Sequence, residues 1–137
     1  MNKSILLSAT VTVLIAVFYF FASMRVGVLR GRLGVKAPAT AGHPQFDRAY
    51  RVQLNTLEQL GIILPLLWIA TFFPTPFGWL PALIALIWLA ARVVYMAGYM
   101  ADPDKRLAGA GLSGLSCLAL LATAVTGLVM AWTSAPA

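Results

Sequence analysis

"RAYRVQLNTLEQLGIILPLLWIA", residues 48–70, starts with the polar spacing of a surface helix and ends as an apolar run suited to lipid. Arg51, Asn55 and Glu58 recur at i, i+4 and i+7, which places them on one stripe of a helix. From Leu60 to Ala70 there is no charged or hydrogen-bonding side chain other than the indole of Trp68. Polar groups at membrane depth are costly, so a plain anchor has no use for the first half. The stretch therefore reads as one helix that enters a bilayer from a polar end. Pro65 is expected to kink it.

The rest of the chain agrees. Of 137 residues, 61% are hydrophobic and only 10% charged, with a mean hydropathy of +0.86. A soluble domain of this length exposes far more charge. Apolar stretches run from Ile5 to Met24, Leu57 to Phe73, Trp79 to Ala91 and Leu107 to Trp132. Crossing roughly 30 Å of hydrocarbon takes about 20 helical residues. The first and last stretches suffice alone. The third must continue past Arg92 to Met100, and the second needs its polar N-terminal end. The expected fold is an all-α integral membrane bundle of four transmembrane helices, a single domain over 1–137. Its spans fall at about 4–27, 47–73, 78–100 and 104–132.

Charge orients the bundle. The net charge is +6, and Arg25, Arg30, Arg32, Lys36, Arg48 and Arg51 lie in or beside the first connection. Lys105 and Arg106 lie in the third, whereas "PTPFGWLP" between spans two and three has no charge. The positive-inside rule puts connections one and three in the cytoplasm. Lys3 alone weighs the other way. Nucleic-acid binding needs a basic surface on a water-exposed element, which this chain scarcely has. Lys3 ahead of an apolar run resembles a secretory signal, but the run exceeds the usual apolar core of ~7–15 residues, so a retained first span is expected. Cys117 is the only cysteine, which excludes an intrachain disulfide. His43 has no second His or Cys nearby, so no metal site is expected and the residue reads as solvated. "MADPDKR" carries a helix start, with Asp102 to cap and Pro103 suited to the first position. Small residues from Ala108 to Gly114 suit close packing of helix four. Gly27 and Gly31 have a GxxxG spacing but surround Arg30, outside the apolar core.

Helices two and three must be antiparallel. Arg92, Tyr95 and Tyr99, at i, i+3 and i+7, form a polar stripe on the latter. Counting from Pro76, Glu58 with Arg92, Asn55 with Tyr95 and Arg51 with Tyr99 lie within about 3 Å of equal depth. Glu58 sits about 24 Å from Pro74, in the cytoplasmic part of the bilayer. A Glu58–Arg92 bridge that locks the hairpin is the plain structural reading. It leaves Arg51, Gln53 and Asn55 without a reason, and a bound ligand supplies one.

"FDRAYRVQLNTLE" followed by "PLLWIA", then "ARVVYMAGYMADPDKR", resembles the MAPEG superfamily, which includes microsomal glutathione transferases and leukotriene C synthase. The likeness covers essentially the whole chain. It implies a homotrimer of four-helix subunits with glutathione bound between neighbours near the cytoplasmic face. By this resemblance Arg51, Gln53, Asn55, Glu58 and Gln59 belong to the glutathione-binding run, and Arg92, Tyr95 and Tyr99 face it from helix three. Ser23 and Arg30 match positions that reach the tripeptide from the adjacent subunit, and Arg106 matches the arginine that activates the thiol. Gln59 departs from the pattern, since several members have tyrosine there.

The chemistry suits such a ligand. Glutathione carries two carboxylates and one ammonium, and arginine forks suit carboxylates. A thiol of pKa near 8.5 is mostly protonated at neutral pH. A guanidinium about 4 Å from the sulfur contributes roughly 4 kcal/mol at an effective dielectric of 20. The resemblance implies glutathione as co-substrate, conjugation of lipophilic electrophiles in detoxification, and peroxidase activity toward lipid hydroperoxides. A non-catalytic lipid-binding or scaffold member of the same fold is the alternative. A small multidrug-type transporter centres on a carboxylate in span one, and span one here has none. The compact chain is compatible with a bacterial inner membrane, with the active site on the cytoplasmic side.

Overall fold

The computed structural model describes residues 2–135. Four helices are present: α1 (Lys3–Arg32), α2 (Pro44–Phe72), α3 (Leu80–Ala101) and α4 (Leu107–Ser134), with a 3-10 turn over Pro103–Arg106. Each is long and apolar enough to cross a membrane.

Their ends differ from the expected spans for local reasons. The first helix runs on to Arg32, five residues past position 27. It stops where Gly34 takes φ +67°, which favours glycine, and the Val35 N–H closes back on the Arg30 carbonyl at 3.1 Å. The second starts at Pro44, ahead of the span proper, because His43 caps it: Nδ1 accepts from the Gln45 N–H at 3.2 Å. Asp47 reciprocates, with Oδ1 accepting from the N–H groups of Gly42 (3.0 Å) and His43 (3.4 Å). His43 is thus a half-buried cap rather than a solvated loop residue. The helix continues unbroken through Pro65, whose ring is exposed. Asp102 caps the 3-10 turn by accepting from the Asp104 N–H at 3.0 Å, so α4 begins only at Leu107.

The two middle helices form the heart of the bundle. Both α2 and α3 pack on all three other helices, while α1 and α4 scarcely meet. Ile15, Ile63, Leu67, Trp88 and Leu120 are fully enclosed between them. A smaller cluster of Val26, Val35, Phe46 and Ala49 closes the end that carries the basic connections. Lipid gives helices no hydrophobic reason to associate, so contact quality decides. Two glycines of α4 provide it. A Cβ on Gly109 would run into the Tyr95 backbone and the Ala91 carbonyl of α3, and one on Gly127 would collide with the Phe73 carbonyl. Gly111 and Gly114 have nothing within 4 Å, and neither do Gly27 and Gly31. The close approach expected of the small-residue stretch therefore belongs to Gly109 within it. Ser8 and Thr71 share a buried hydrogen bond of 2.7 Å that fastens α1 to α2.

Gly109→Val is expected to separate α4 from α3 and to cost about 1–3 kcal/mol, read as a lower thermal unfolding midpoint in detergent. Gly61→Ala, on an open surface, is expected to stay within about 0.5 kcal/mol.

Candidate functional site: a polar seam between two helices

At about 100° per residue, Val52, Thr56 and Ile63 point to the centre of the buried face of α2, and Asn55 and Gln59 lie at its margin. Arg51 and Glu58 fall just beyond that margin and are exposed. The stripe predicted from spacing exists, but it forms the rim of the helix contact.

Three bonds cross from this margin to α3. Trp88 Nε1 donates to Gln59 Oε1 at 2.8 Å. Arg92 NH2 donates to Thr56 Oγ1 at 2.7 Å. Asn55 Nδ2 donates to the Tyr95 hydroxyl at 2.6 Å. The Asn55–Tyr95 pair is the one equal-depth couple that meets. Arg92 goes to Thr56 instead of Glu58, because its long side chain reaches one helical turn, ~6 Å, toward the basic end of the bundle. Thr56 passes its own hydrogen to the Val52 carbonyl at 2.7 Å.

Arg92 is only 1% exposed. Its guanidinium carbon sits 3.9 Å from the centroid of the Tyr95 ring. Its Nε is buried without a hydrogen-bond partner. A desolvated cation over an aromatic face gains about 2 kcal/mol, which offsets part of the cost of burying the charge. From there a chain of contacts runs outward along α3. The Tyr95 and Tyr99 rings lie 5.6 Å apart. Arg106, exposed on the 3-10 turn, stands 5.4 Å from the Tyr99 ring and reaches its hydroxyl at 3.4 Å. Guanidinium, ring, ring and guanidinium thus lead from the bundle interior to its basic end.

The remaining residues lie around this seam. Gln53, on the other flank of α2, donates to the Tyr19 hydroxyl of α1 at 3.1 Å. Ser23 is half-buried on α1. Arg30 holds its own connection, with NH1 donating to the carbonyls of Val35 (3.4 Å) and Ala39 (2.9 Å) and the guanidinium 4.7 Å from the Phe46 ring. Among the described residues, no three His, Cys, Asp or Glu side chains group as metal ligands would. A surface hollow of about 350 Å³ between Phe73, Leu128 and Trp132 is apolar and lies at the opposite end. The seam exposes donors for anions at Arg51 and Arg106 and a carboxylate for a cation at Glu58, with the enclosed charge of Arg92 and the aromatic rings behind them. Thr56, Trp88 and Tyr19 escape a search for charges and motifs. Hydroxyls or indoles among apolar neighbours are the signal that could have found them.

A family model described as MAPEG family matches residues 8–126. An uncharacterised protein of Synechocystis is 37% identical over 130 residues, covering 94% of this chain and 93% of its own. Bovine leukotriene C4 synthase is 34% identical over 129 residues, covering 94% and 85%. Human microsomal glutathione S-transferase 2 is 36% identical over 121 residues, covering 88% and 79%.

Thr56→Val removes the acceptor that Arg92 uses and is expected to destabilise the fold by about 1–3 kcal/mol. Glu58→Gln, at an exposed position outside the three bonds, is expected to leave the unfolding midpoint unchanged. A large loss on Glu58→Gln would restore the structural bridge.

Proposed function

Because the chain belongs to the MAPEG family, we propose that it is a membrane-bound glutathione transferase that uses the seam to hold glutathione and turn its thiol into thiolate. The observation that carries this reading is the run of Arg92, Tyr95, Tyr99 and Arg106 in mutual contact beside the open stripe of Arg51, Asn55 and Glu58. The signs match the ligand: arginines for two carboxylates and one glutamate for the ammonium. Two relatives are named for glutathione or leukotriene C4 chemistry.

Each residue has a distinct task. Arg51 and Arg92 attract the carboxylates, Glu58 takes the ammonium, and Asn55 and Tyr95 offer neutral hydrogen bonds. Gln53 and Gln59 remain contacts of the same run, each with an amide already steadied by Tyr19 or Trp88. Tyr99 carries Arg106, the group proposed to lower the thiol pKa. Arg106 stands at the entry to α4, where the helix dipole also favours an anion. The thiolate lone pair then forms a carbon–sulfur bond with the electrophile. The electrons of the broken bond leave with the departing group, or with an epoxide oxygen that takes a proton from water. With a lipid hydroperoxide, two glutathiones give up two electrons as a disulfide, and the peroxide becomes an alcohol and water.

A homotrimer completes the site in this reading, with Ser23 and Arg30 of one subunit approaching the exposed stripe on the next. Arg30 spends only its NH1 hydrogens on its own loop, so NH2 and Nε stay available. The basic end faces the cytoplasm of a bacterial inner membrane, and the electrophile arrives through lipid, consistent with a role in detoxification. Glutathione is the co-substrate, and the chemistry proposed needs no metal.

Purified protein is expected to bind glutathione and to show the ultraviolet absorbance of the bound thiolate. Arg106→Ala should cut the thiolate at neutral pH about tenfold or more while keeping much of the binding; one pKa unit is that factor. Glu58→Gln should weaken binding without lowering stability. No binding at millimolar glutathione would sink the enzyme reading and leave the non-catalytic lipid-binding or scaffold role.

A further inference from the structure

The turn that carries Arg106 is built to unusually tight tolerance. A Cβ on Gly98 of α3 would lie 2.6 Å from the Lys105 carbonyl oxygen and 3.1 Å from its carbon. Real Cβ atoms do not approach backbone so closely, so only glycine lets the Lys105–Arg106 peptide rest on α3. The end of α3 has a second fastening. A helix leaves its last carbonyls without intrahelical partners, and a basic side chain there satisfies them and suits the dipole. None of the residues in the last turn of α3 is basic. The cation comes from α2: Arg48 NH1 donates to the carbonyls of Met100 (3.2 Å) and Ala101 (3.1 Å). Asp102, the next residue, begins the turn, and its N–H returns to the Gly98 carbonyl at 2.8 Å. Arg106 therefore depends on two fixed points, one on each side of Asp102.

We propose that Gly98 and Arg48 are positioning residues for Arg106: together they hold the Asp102–Arg106 turn so that the guanidinium stays against Tyr99 and beside the seam. The inference rests on the reading of Arg106 as the thiol-activating group. Among the described residues the hydrogen bonds of Arg48 go neither to the seam nor to Arg106 but to α3's last two carbonyls, through which it acts. Gly98 acts through the Lys105 backbone. Both set where a charge sits rather than supplying a ligand contact, so their loss should separate thiolate formation from glutathione binding.

The test compares wild type, Arg106→Ala, Gly98→Ala, Arg48→Ala and Arg48→Lys as purified full-length proteins. Glutathione affinity, bound-thiolate absorbance across pH and the unfolding midpoint are measured on each. In Gly98→Ala and Arg48→Ala the pH midpoint of thiolate formation should rise by about one unit, a tenfold loss of thiolate at fixed pH. Affinity should change less than about threefold, under 0.7 kcal/mol. Arg48→Lys retains a cationic donor and should recover part of the shift. Adding Gly98→Ala to Arg106→Ala should move the midpoint no further, since both act through one group. A wild-type midpoint in Gly98→Ala or Arg48→Ala overturns the proposal. So does a loss of thiolate matched by equal losses of affinity and stability, which marks a purely structural role. If one alanine variant does not fold, a wild-type midpoint in the other overturns it equally; if neither folds, a wild-type midpoint in folded Arg48→Lys does. A wild-type protein that binds glutathione without thiolate, or an unchanged Arg106→Ala, defeats the underlying reading instead.

Discussion

A guanidinium inside a bundle that faces lipid has to be solvated by the protein, and the placement of α2 against α3 follows from how that is done at Arg92. Among the described residues, no carboxylate pairs with it. A threonine hydroxyl receives one of its hydrogens, and a tyrosine ring lies flat enough beneath it to stand in for lost water. Both supports are short and neutral, so they work only at close range. Asn55 then holds the same tyrosine from the α2 side. Two residues of each helix are locked in a single register, and a slip by one residue in either direction would leave a buried charge alone. Such a slip is costly, since an unpartnered buried charge loses several kcal/mol.

The sequence carried the fold far and the site part of the way. Four spans, the basic end and the opposed polar stripes were all visible, since hydropathy and charge are summed over many residues and small errors cancel. Asn55 met Tyr95 because both side chains are short enough for equal depth to mean contact. Arg92 defeated the same count: its side chain is long, it travels toward water, and its partner is a threonine that no charge pattern marks. The helices run a few residues beyond the expected membrane spans where capping decides their ends. His43 and Gly34 set those ends through single hydrogen bonds and one backbone angle, which periodicity does not register. Gln59 posed a different problem. Its departure from the tyrosine of the family pattern was legible, whereas its bond to a fully enclosed Trp88 needed the third dimension.

The two ends of the bundle are made by different chemistry. At the end with the charge-free connection, Ser8 meets Thr71 and Gly127 meets Phe73, so uncharged groups hold the helices. At the other, guanidinium groups do much of the tying: Arg30 over its own loop, Arg48 across to α3, Arg106 on Tyr99. Arginine suits this boundary because its planar group binds carbonyls and stacks on rings while remaining charged toward water. Architecture and the proposed ligand chemistry thus draw on one pool of residues there. Some arginines are spent on folding, while Arg51 stays exposed on the open rim.

Gly109 has a consequence for how the bundle yields. Its contact puts the backbone of α4 directly on the backbone of α3 at Tyr95, with no side chain between to act as a cushion. Side chains can change rotamer under load, but two touching backbones cannot. The α3–α4 contact at Gly109 is therefore the stiff joint of the bundle, and the contact of α2 with α3, made through polar and apolar side chains, is the more compliant one. A load on the bundle is taken up first where side chains mediate, between α2 and α3, while α4 keeps its station on Tyr95.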